Sequence, residues 1–524
     1  MTEPDNKEDR RTTLTKIYGA AIQGIDATLI TIEVSSTRGC MFYMVGLPDS
    51  AVRESQQRIQ AAFNYLGIKQ PLTSITVNMA PADIRKEGSA YDLSIAIGLL
   101  GATGIIKTDH LGEYMLMGEL GLDGSLQPIK GALPIAIKAR ELGFKGLILP
   151  AQNAKEASVV NKLEVYGAEN LKDVADFLDD KAPLQQTTTN TREEFFAHQN
   201  NFDLDFADVK GQETAKRALE IAAAGSHNII MIGSPGSGKS MLAKRLPSIL
   251  PPLSLAESLE TTKIHSVAGK LGKDGGLIYC RPFRNPHHTI SAVAMIGGGT
   301  YPQPGEISLA HNGILFLDEL AENRRETLEV LRQPLEDRVV TISRAKFSVQ
   351  YPASFMLVAA MNPCPCGYYN HPTRRCVCTP GQVHKYLNRV SGPLMDRFDI
   401  QIEVTPVPFE KISETAQPES SSAIRERVIR ARNIQEKRFS GMADVHCNAQ
   451  MTSRMIREYA QPDSEGLEML RNAMTRLSLS ARAYDRILKV SRTIADLEGS
   501  PDVKYQHIAE AINYRNLDRE NWVE

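Results

Sequence analysis

The sequence has 524 residues, enough for about three or four domains at roughly 100–200 residues each, and 42% of them are hydrophobic, which excludes a chain disordered from end to end. Sixty Lys and Arg against 62 Asp and Glu leave a formal net charge of −2, so any polyanion must be met by a local basic surface rather than by the whole protein. The longest apolar stretch, Leu93 to Ile106, is broken by three glycines and falls short of the ~18–20 residues of a bilayer span, so no membrane partner is expected. The N-terminal MTEPDNKEDRR lacks the apolar core of a signal peptide, and seven cysteines without an export signal point to reduced thiols in the cytoplasm.

In chain order, residues 12–180 read as an α+β domain. Thr28–Val34, Ser74–Val77 and Gly146–Leu149 carry strand patterns, and Ser55–Tyr65 and Pro134–Glu141 carry helical ones. Residues 181–202, rich in Thr, Gln and Asn with little apolar periodicity, read as a linker. From 203 to 410 strand runs alternate with helical or hairpin segments, the signature of a parallel sheet flanked by helices. In that block an amphipathic helix over Glu213–Ala224 precedes a short strand, Asn228–Ile232.

The strand runs into Gly233-Ser234-Pro235-Gly236-Ser237-Gly238-Lys239-Ser240, which satisfies G-x4-G-K-[ST] between a strand and a helix. Glycines let successive N–H groups and the next helix N-terminus face a phosphate; Lys239 supplies charge to the β/γ-phosphates of ATP, and the Ser240 hydroxyl suits Mg²⁺. Downstream, Val267–Gly299 carries Lys270, Lys273, Arg281, Arg284, His287 and His288, basic groups for a channel loop or for packing between subunits. Ile314-Leu-Phe-Leu-Asp318-Glu319 then delivers two carboxylates to the end of a buried strand. Asp318 is placed for the Mg²⁺ shell, and Glu319 for orienting and polarising the attacking water.

Two alternating runs flank Ser343–Lys346 and predict a β-hairpin with Arg344 and Lys346 at its tip, before a further strand, Phe355–Ala360. Residues 362–380 hold Cys364, Cys366, Cys376 and Cys378. Four thiolates in two pairs suit a tetrahedral Zn²⁺ site, although the C-x-C spacing is tighter than the common C-x2-C; reduced cysteines without metal, or a redox pair, are the alternatives. Residues 411–524 turn helical and charged, with helices at Ile424–Phe439, Gly466–Leu477 and Ala483–Leu497. The basic run from Arg425 to Arg438 reads as a solvated helix face.

The two nucleotide motifs, together with Asn362, Arg397 in Gly392-Pro-Leu-Met-Asp-Arg-Phe-Asp399 and Arg482 in Ser480-Ala-Arg482, resemble the ordered motif set of an AAA+ ATPase. Lys210-Gly-Gln212, Pro286-His-His-Thr-Ile-Ser291, Gly297-Gly-Gly299, Pro304-Gly-Glu-Ile-Ser-Leu-Ala-His311 and Asn362-Pro-Cys-Pro-Cys-Gly367 are similar to one branch, the magnesium-chelatase-like YifB/ComM family, over nearly the whole chain. That resemblance implies an AAA+ P-loop core with a C-terminal helical lid. It also implies that Asn362 senses the γ-phosphate, that Arg397 is a finger reaching a neighbouring subunit's nucleotide, and that Arg482 is a lid arginine. Ser234 and Ser240 depart from the usual GPPGSGKT, and Ser240 keeps the hydroxyl.

In helicases of the same clade such a hairpin projects into a ring channel, which makes Arg344 and Lys346 contacts for DNA backbone phosphates. The resemblance further implies a homo-hexamer and branched or three-stranded recombination intermediates as substrate, with a recombinase as partner. The expected activity is ATP-driven branch migration in natural transformation; a chelatase-like remodelling ATPase is the rival and an ATP-dependent protease a lesser one. Pro81–Leu93 and Met117–Gly131 resemble a Lon protease domain, but Ala90 stands where the serine nucleophile would be and Pro134 where the lysine would be, which implies a degenerate, non-proteolytic module.

Overall fold

The computed structural model describes residues 13–515 apart from 70–72, 200–201, 273–274, 300–301, 345–346, 409–410, 412–417, 443–444 and 478. The chain divides into two compact units, one of residues 1–196 with 259–278, the other of residues 197–258 with 279–524. The inclusion of 259–278 in the first unit breaks the sequential division expected from composition, because long-range packing decides it.

The first unit is built on a seven-stranded mixed sheet in the order 42–45, 73–80, 26–38, 13–23, 114–116, 146–150, 164–168. Strands Thr13–Gln23 and Asp26–Arg38 form a long antiparallel hairpin, and the strands from 114 onward add in parallel. The apolar stretch seen in the sequence is the helix Asp92–Ala102, every residue of it buried. Gly98 lets it lie on the sheet: a Cβ there would come within 2.6 Å of Ile17 and Val34 side-chain atoms. Ser89 donates to Glu119, the fully buried Lys86 donates to the Pro81 carbonyl, and Pro134 sits buried in the helix Ala132–Glu141. No hydrogen bond among the described residues joins Ser89 to a lysine. The expected linker holds more structure than its composition suggests: Gln186 bridges to Tyr166 at the sheet edge, and Thr191–His198 is a helix.

The second unit carries a five-stranded, wholly parallel sheet in the order 283–284, 314–317, 356–361, 229–232, 400–403. The strands Ile229–Ile232, Ile314–Leu317 and Met356–Met361 are buried throughout, as strands covered on both faces must be. In chain order the strands lie 5-1-4-3-2, so the first lies inside the sheet between the fourth and the fifth, and the C-terminal ends of such strands are where these sheets bind ligands. The C-terminal part is helical: Ser421–Arg438, Ser453–Tyr459, Ser464–Arg476, Ala481–Leu497 and Tyr505–Asn513. Ser420, Thr452, Asp463 and Ser480 cap the first four by accepting an N–H of the opening turn.

The basic run from Arg425 to Arg438 is a solvated face only at Arg430 and Lys437. Arg425 and Arg432 are buried, and Arg432 donates to the carbonyls of Ala223 and Ala224, which end the helix Glu213–Gly225 and have no partner within it. Arg427 pairs with Glu220 and Glu419, and Arg438 with the buried Asp496. Asp399 joins the sheet unit's core to the helices through Arg486 at 2.7 Å. Burial alone would raise its carboxyl, but the Arg486 guanidinium and the His227 ring hold it well below the usual carboxylate range.

Candidate nucleotide site

Three candidate site residues stand immediately after three buried strands: Gly233 follows Ile232, Asp318 follows Leu317 and Asn362 follows Met361. The parallel register aligns those strand ends, so residues far apart in sequence meet at one edge. The chain then turns sharply through Gly236 and Gly238, at φ +78° and +95°, before the helix Lys239–Arg245 begins. Lys239 is 8% exposed and donates to the carbonyls of Gly233 at 2.7 Å and Ser234 at 2.9 Å and to Asn362 Oδ1 at 3.3 Å. Burial pushes its ammonium below the ordinary lysine range, with Asp318 opposing the shift.

Ser240 Oγ donates to Asp318 Oδ2 at 2.6 Å, which brings together two hard oxygen ligands of the kind Mg²⁺ takes. Ser234 Oγ and Ser237 Oγ, both buried, have no hydrogen-bond partner in the loop. Orphaned hydroxyls, curled glycine amides and a buried ammonium are the inventory that fits a phosphate chain, and the serine–aspartate pair fits its metal.

Glu319 stands in the left-handed region at φ +50°, its N–H bonded to Asp318 Oδ1 at 2.9 Å. A non-glycine residue held there carries strain of about 1–3 kcal/mol, a feature that clusters at working sites. Its carboxylate meets His288 Nδ1 at 3.0 Å, a contact the sequence reading missed. The only signal in the sequence is the His287-His288 pair, which stands there among the basic groups of a loop. Two neighbours in that loop are spent inside the chain: Arg281 pairs with Glu257 at 3.1 Å and Arg284 with Glu306 at 2.7 Å.

Arg397 is turned inward, 6% exposed, donating to the carbonyls of Pro393 at 2.5 Å and Arg332 at 3.3 Å and to the Glu336 carboxylate. Its carboxylate partner is Glu336, 61 residues earlier, rather than the adjacent Asp396 or Asp399. Arg482 is 62% exposed at the start of its helix, 3.7 Å from Asp396. The hairpin forms as the alternation predicts: Val339–Arg344 and Phe347–Pro352 pair antiparallel with Arg344 opposite Phe347. Lys346 lies outside the described residues.

The four cysteines converge, their sulfurs all within 4.8 Å of one another, with Cys364 buried and the others half-buried.

A P-loop after the first strand of a 5-1-4-3-2 sheet, an acidic pair after the third strand and a polar residue ending the fourth define an AAA+-type nucleotide-binding protein. The family described as "Magnesium chelatase, subunit ChlI" matches residues 205–412, "Subunit ChlI of Mg-chelatase" residues 32–153 and "Magnesium chelatase, subunit ChlI C-terminal" residues 418–515. The chain is 44% identical to Competence protein ComM of Haemophilus influenzae over 96% of its own length and 97% of that protein's. It is 43% identical to Uncharacterized protein YifB of Escherichia coli over 97% of its length and 98% of that protein's. DNA replication licensing factor mcm6 of Dictyostelium discoideum is 23% identical over 56% of this chain and 31% of its own. The chain therefore belongs to the YifB/ComM family of magnesium-chelatase-like AAA+ proteins. No helix among the described residues is long and apolar enough to cross a membrane.

Proposed function

We propose that the chain is an ATP-driven DNA motor that works in the cytoplasm as a ring of six copies. It migrates branched or three-stranded recombination intermediates so that incoming single strands, handed on by a recombinase, are integrated during natural transformation. The observation that carries the ATPase reading is the meeting of Lys239, Asn362, Ser240, Asp318 and Glu319 at one sheet edge. The DNA reading draws on the paired hairpin and on two relatives' names, a competence protein and a replication licensing factor.

In this reading the amides of Gly236, Ser237, Gly238 and Lys239 cradle the phosphates, and Ser240 and Asp318 hold Mg²⁺. Bound Mg²⁺ neutralises charge on the β- and γ-phosphates. Lys239 exchanges its carbonyl partners for phosphate oxygens, and Asn362 Oδ1, already beside it, fixes the orientation of the γ-phosphate's surroundings. Glu319 accepts the proton of the attacking water, and His288 positions that carboxylate. Arg397 leaves Glu336 to reach the neighbouring copy's γ-phosphate, Arg482 closes over the nucleotide, and charge developing in the transition state is met by both. Turnover around the ring moves hairpins bearing Arg344 and Lys346 along the DNA backbone. Zn²⁺ at Cys364, Cys366, Cys376 and Cys378 completes the cofactor set.

Phosphate release by wild type and Lys239→Ala, with and without branched DNA, tests the reading. Turnover that rises with DNA and vanishes in the variant is expected. Strong turnover indifferent to DNA turns the reading towards a remodelling ATPase.

A further inference from the structure

The cysteine loop is more than a neighbour of the nucleotide site; it is wedged against it. The strand Met356–Met361 ends at Asn362, which touches Lys239, and within two residues the chain reaches Cys364. Gly367 closes a turn on Cys364, with its N–H donating to the Cys364 carbonyl at 3.0 Å. At φ +82° it lies so close to the P-loop that a Cβ would come within 2.5 Å of the Pro235 ring. Tyr369, Asn370, His371 and Pro372 line a small cleft whose opposite wall is Gly233 and Ser234. The far end of the loop is fixed too. Thr379 and Gln382 form a capping box on the helix Pro380–Leu387, and Arg389 just beyond pairs at 2.8 Å with Glu322, three residues past Glu319.

The sulfurs have the geometry of a metal site rather than of a crosslink. Cys364, Cys366 and Cys376 Sγ are 3.4, 3.7 and 3.5 Å apart pairwise, far beyond a disulfide bond of about 2.05 Å. Four sulfurs at about 2.3 Å from a tetrahedral zinc would be separated by about 3.8 Å. Backbone N–H groups of Tyr368 and Val377 point at Cys366, and that of Cys378 at Cys376, the outer contacts that steady metal-bound thiolates.

We propose that Zn²⁺ bound by Cys364, Cys366, Cys376 and Cys378 braces the P-loop, holding Gly367 against Pro235 and Asn362 against Lys239. Nucleotide binding then depends on a metal whose ligands touch no nucleotide. This rests on the ATPase reading only for its consequence on turnover, not for the brace itself. Without the metal the sulfurs are tied only by weak S–H···S contacts, and the loop that abuts Pro235 loses its anchor. A purely structural zinc elsewhere in the unit would leave the P-loop unaffected.

The test uses the full chain. Zinc is quantified in protein purified without chelator, removed with a thiol-reactive mercurial and a chelator, then restored after excess reducing thiol. Amide hydrogen exchange of residues 233–240 and the affinity for a fluorescent ATP analogue are read in each state. One zinc per chain is expected, with exchange at the P-loop faster and affinity at least tenfold weaker without it, and both recovered on adding zinc. The Cys376→Ser/Cys378→Ser variant should behave as the stripped protein, while Lys239→Ala should keep its zinc yet bind nucleotide poorly. Protein without zinc, zinc loss that leaves residues 233–240 equally protected, or a change that added zinc does not reverse would each overturn the brace. Zinc-loaded wild type that binds ATP but does not hydrolyse it would defeat the ATPase reading and leave the brace standing.

Discussion

Arg397 offers a sharp handle on whether neighbouring copies share a nucleotide site. Its guanidinium is held by two carbonyls and by Glu336, whose side chain is 58% exposed while that of Arg397 is 7% exposed. An ion pair with one solvated partner belongs with surface pairs, at about 0.2–1 kcal/mol, rather than with buried pairs. Glu336→Gln keeps the shape and a neutral hydrogen bond but removes that increment, and at about 1.4 kcal/mol per tenfold it favours release of the arginine by about 1.4–5-fold. If Arg397 acts on a neighbour, the protein concentration giving half-maximal ATP turnover falls by that factor while maximal turnover is unchanged. ATPase measured across a dilution series reads this directly. An unmoved concentration dependence together with full turnover in Arg397→Ala would refute the role in a neighbouring site.

Other consequences concern the site and its scaffold. Glu319→Gln should lower turnover by about 10²–10⁴-fold while leaving ATP affinity near wild type, because it removes the proton acceptor but no phosphate contact; single-turnover and binding measurements separate the two. Asp399→Asn leaves Arg486 unpaired and should cost about 3 kcal/mol at neutral pH. Asp399 has a folded-state pKa below its unfolded value, so its contribution is complete above that unfolded value and fades as pH falls through the folded one; urea midpoints of wild type and variant should converge in acid. Gly98→Ala drives a methyl into Ile17 and Val34 and should destabilise the first unit by about 1–3 kcal/mol, seen as a lower melting temperature.

Much of the nucleotide site was legible because its chemistry is local: the run Gly233–Ser240 and the pair Asp318-Glu319 each sit beside the strand that aims them. The hairpin over residues 339–352 was legible for the same reason, since its alternation lies in adjacent runs. Contacts between distant segments were not. Glu336 lies 61 residues before Arg397, and His288 lies 31 before Glu319, so no spacing rule joins them. Charge by itself misled at Arg432, where a cation that reads as solvated closes the carbonyl end of another helix. The C-x-C spacing left the cysteines open between readings; the fold gathers the four sulfurs into one cluster, and Gly367 beside them packs against Pro235.

The central claim is that ATP hydrolysis at this site drives DNA branches along. Strand displacement from a four-stranded junction and phosphate release, followed in the same reaction for wild type and Lys239→Ala, test it most directly. Junction movement that requires ATP, stops with a non-hydrolysable analogue and is absent in Lys239→Ala is the predicted result. Vigorous hydrolysis beside an intact junction would contradict it.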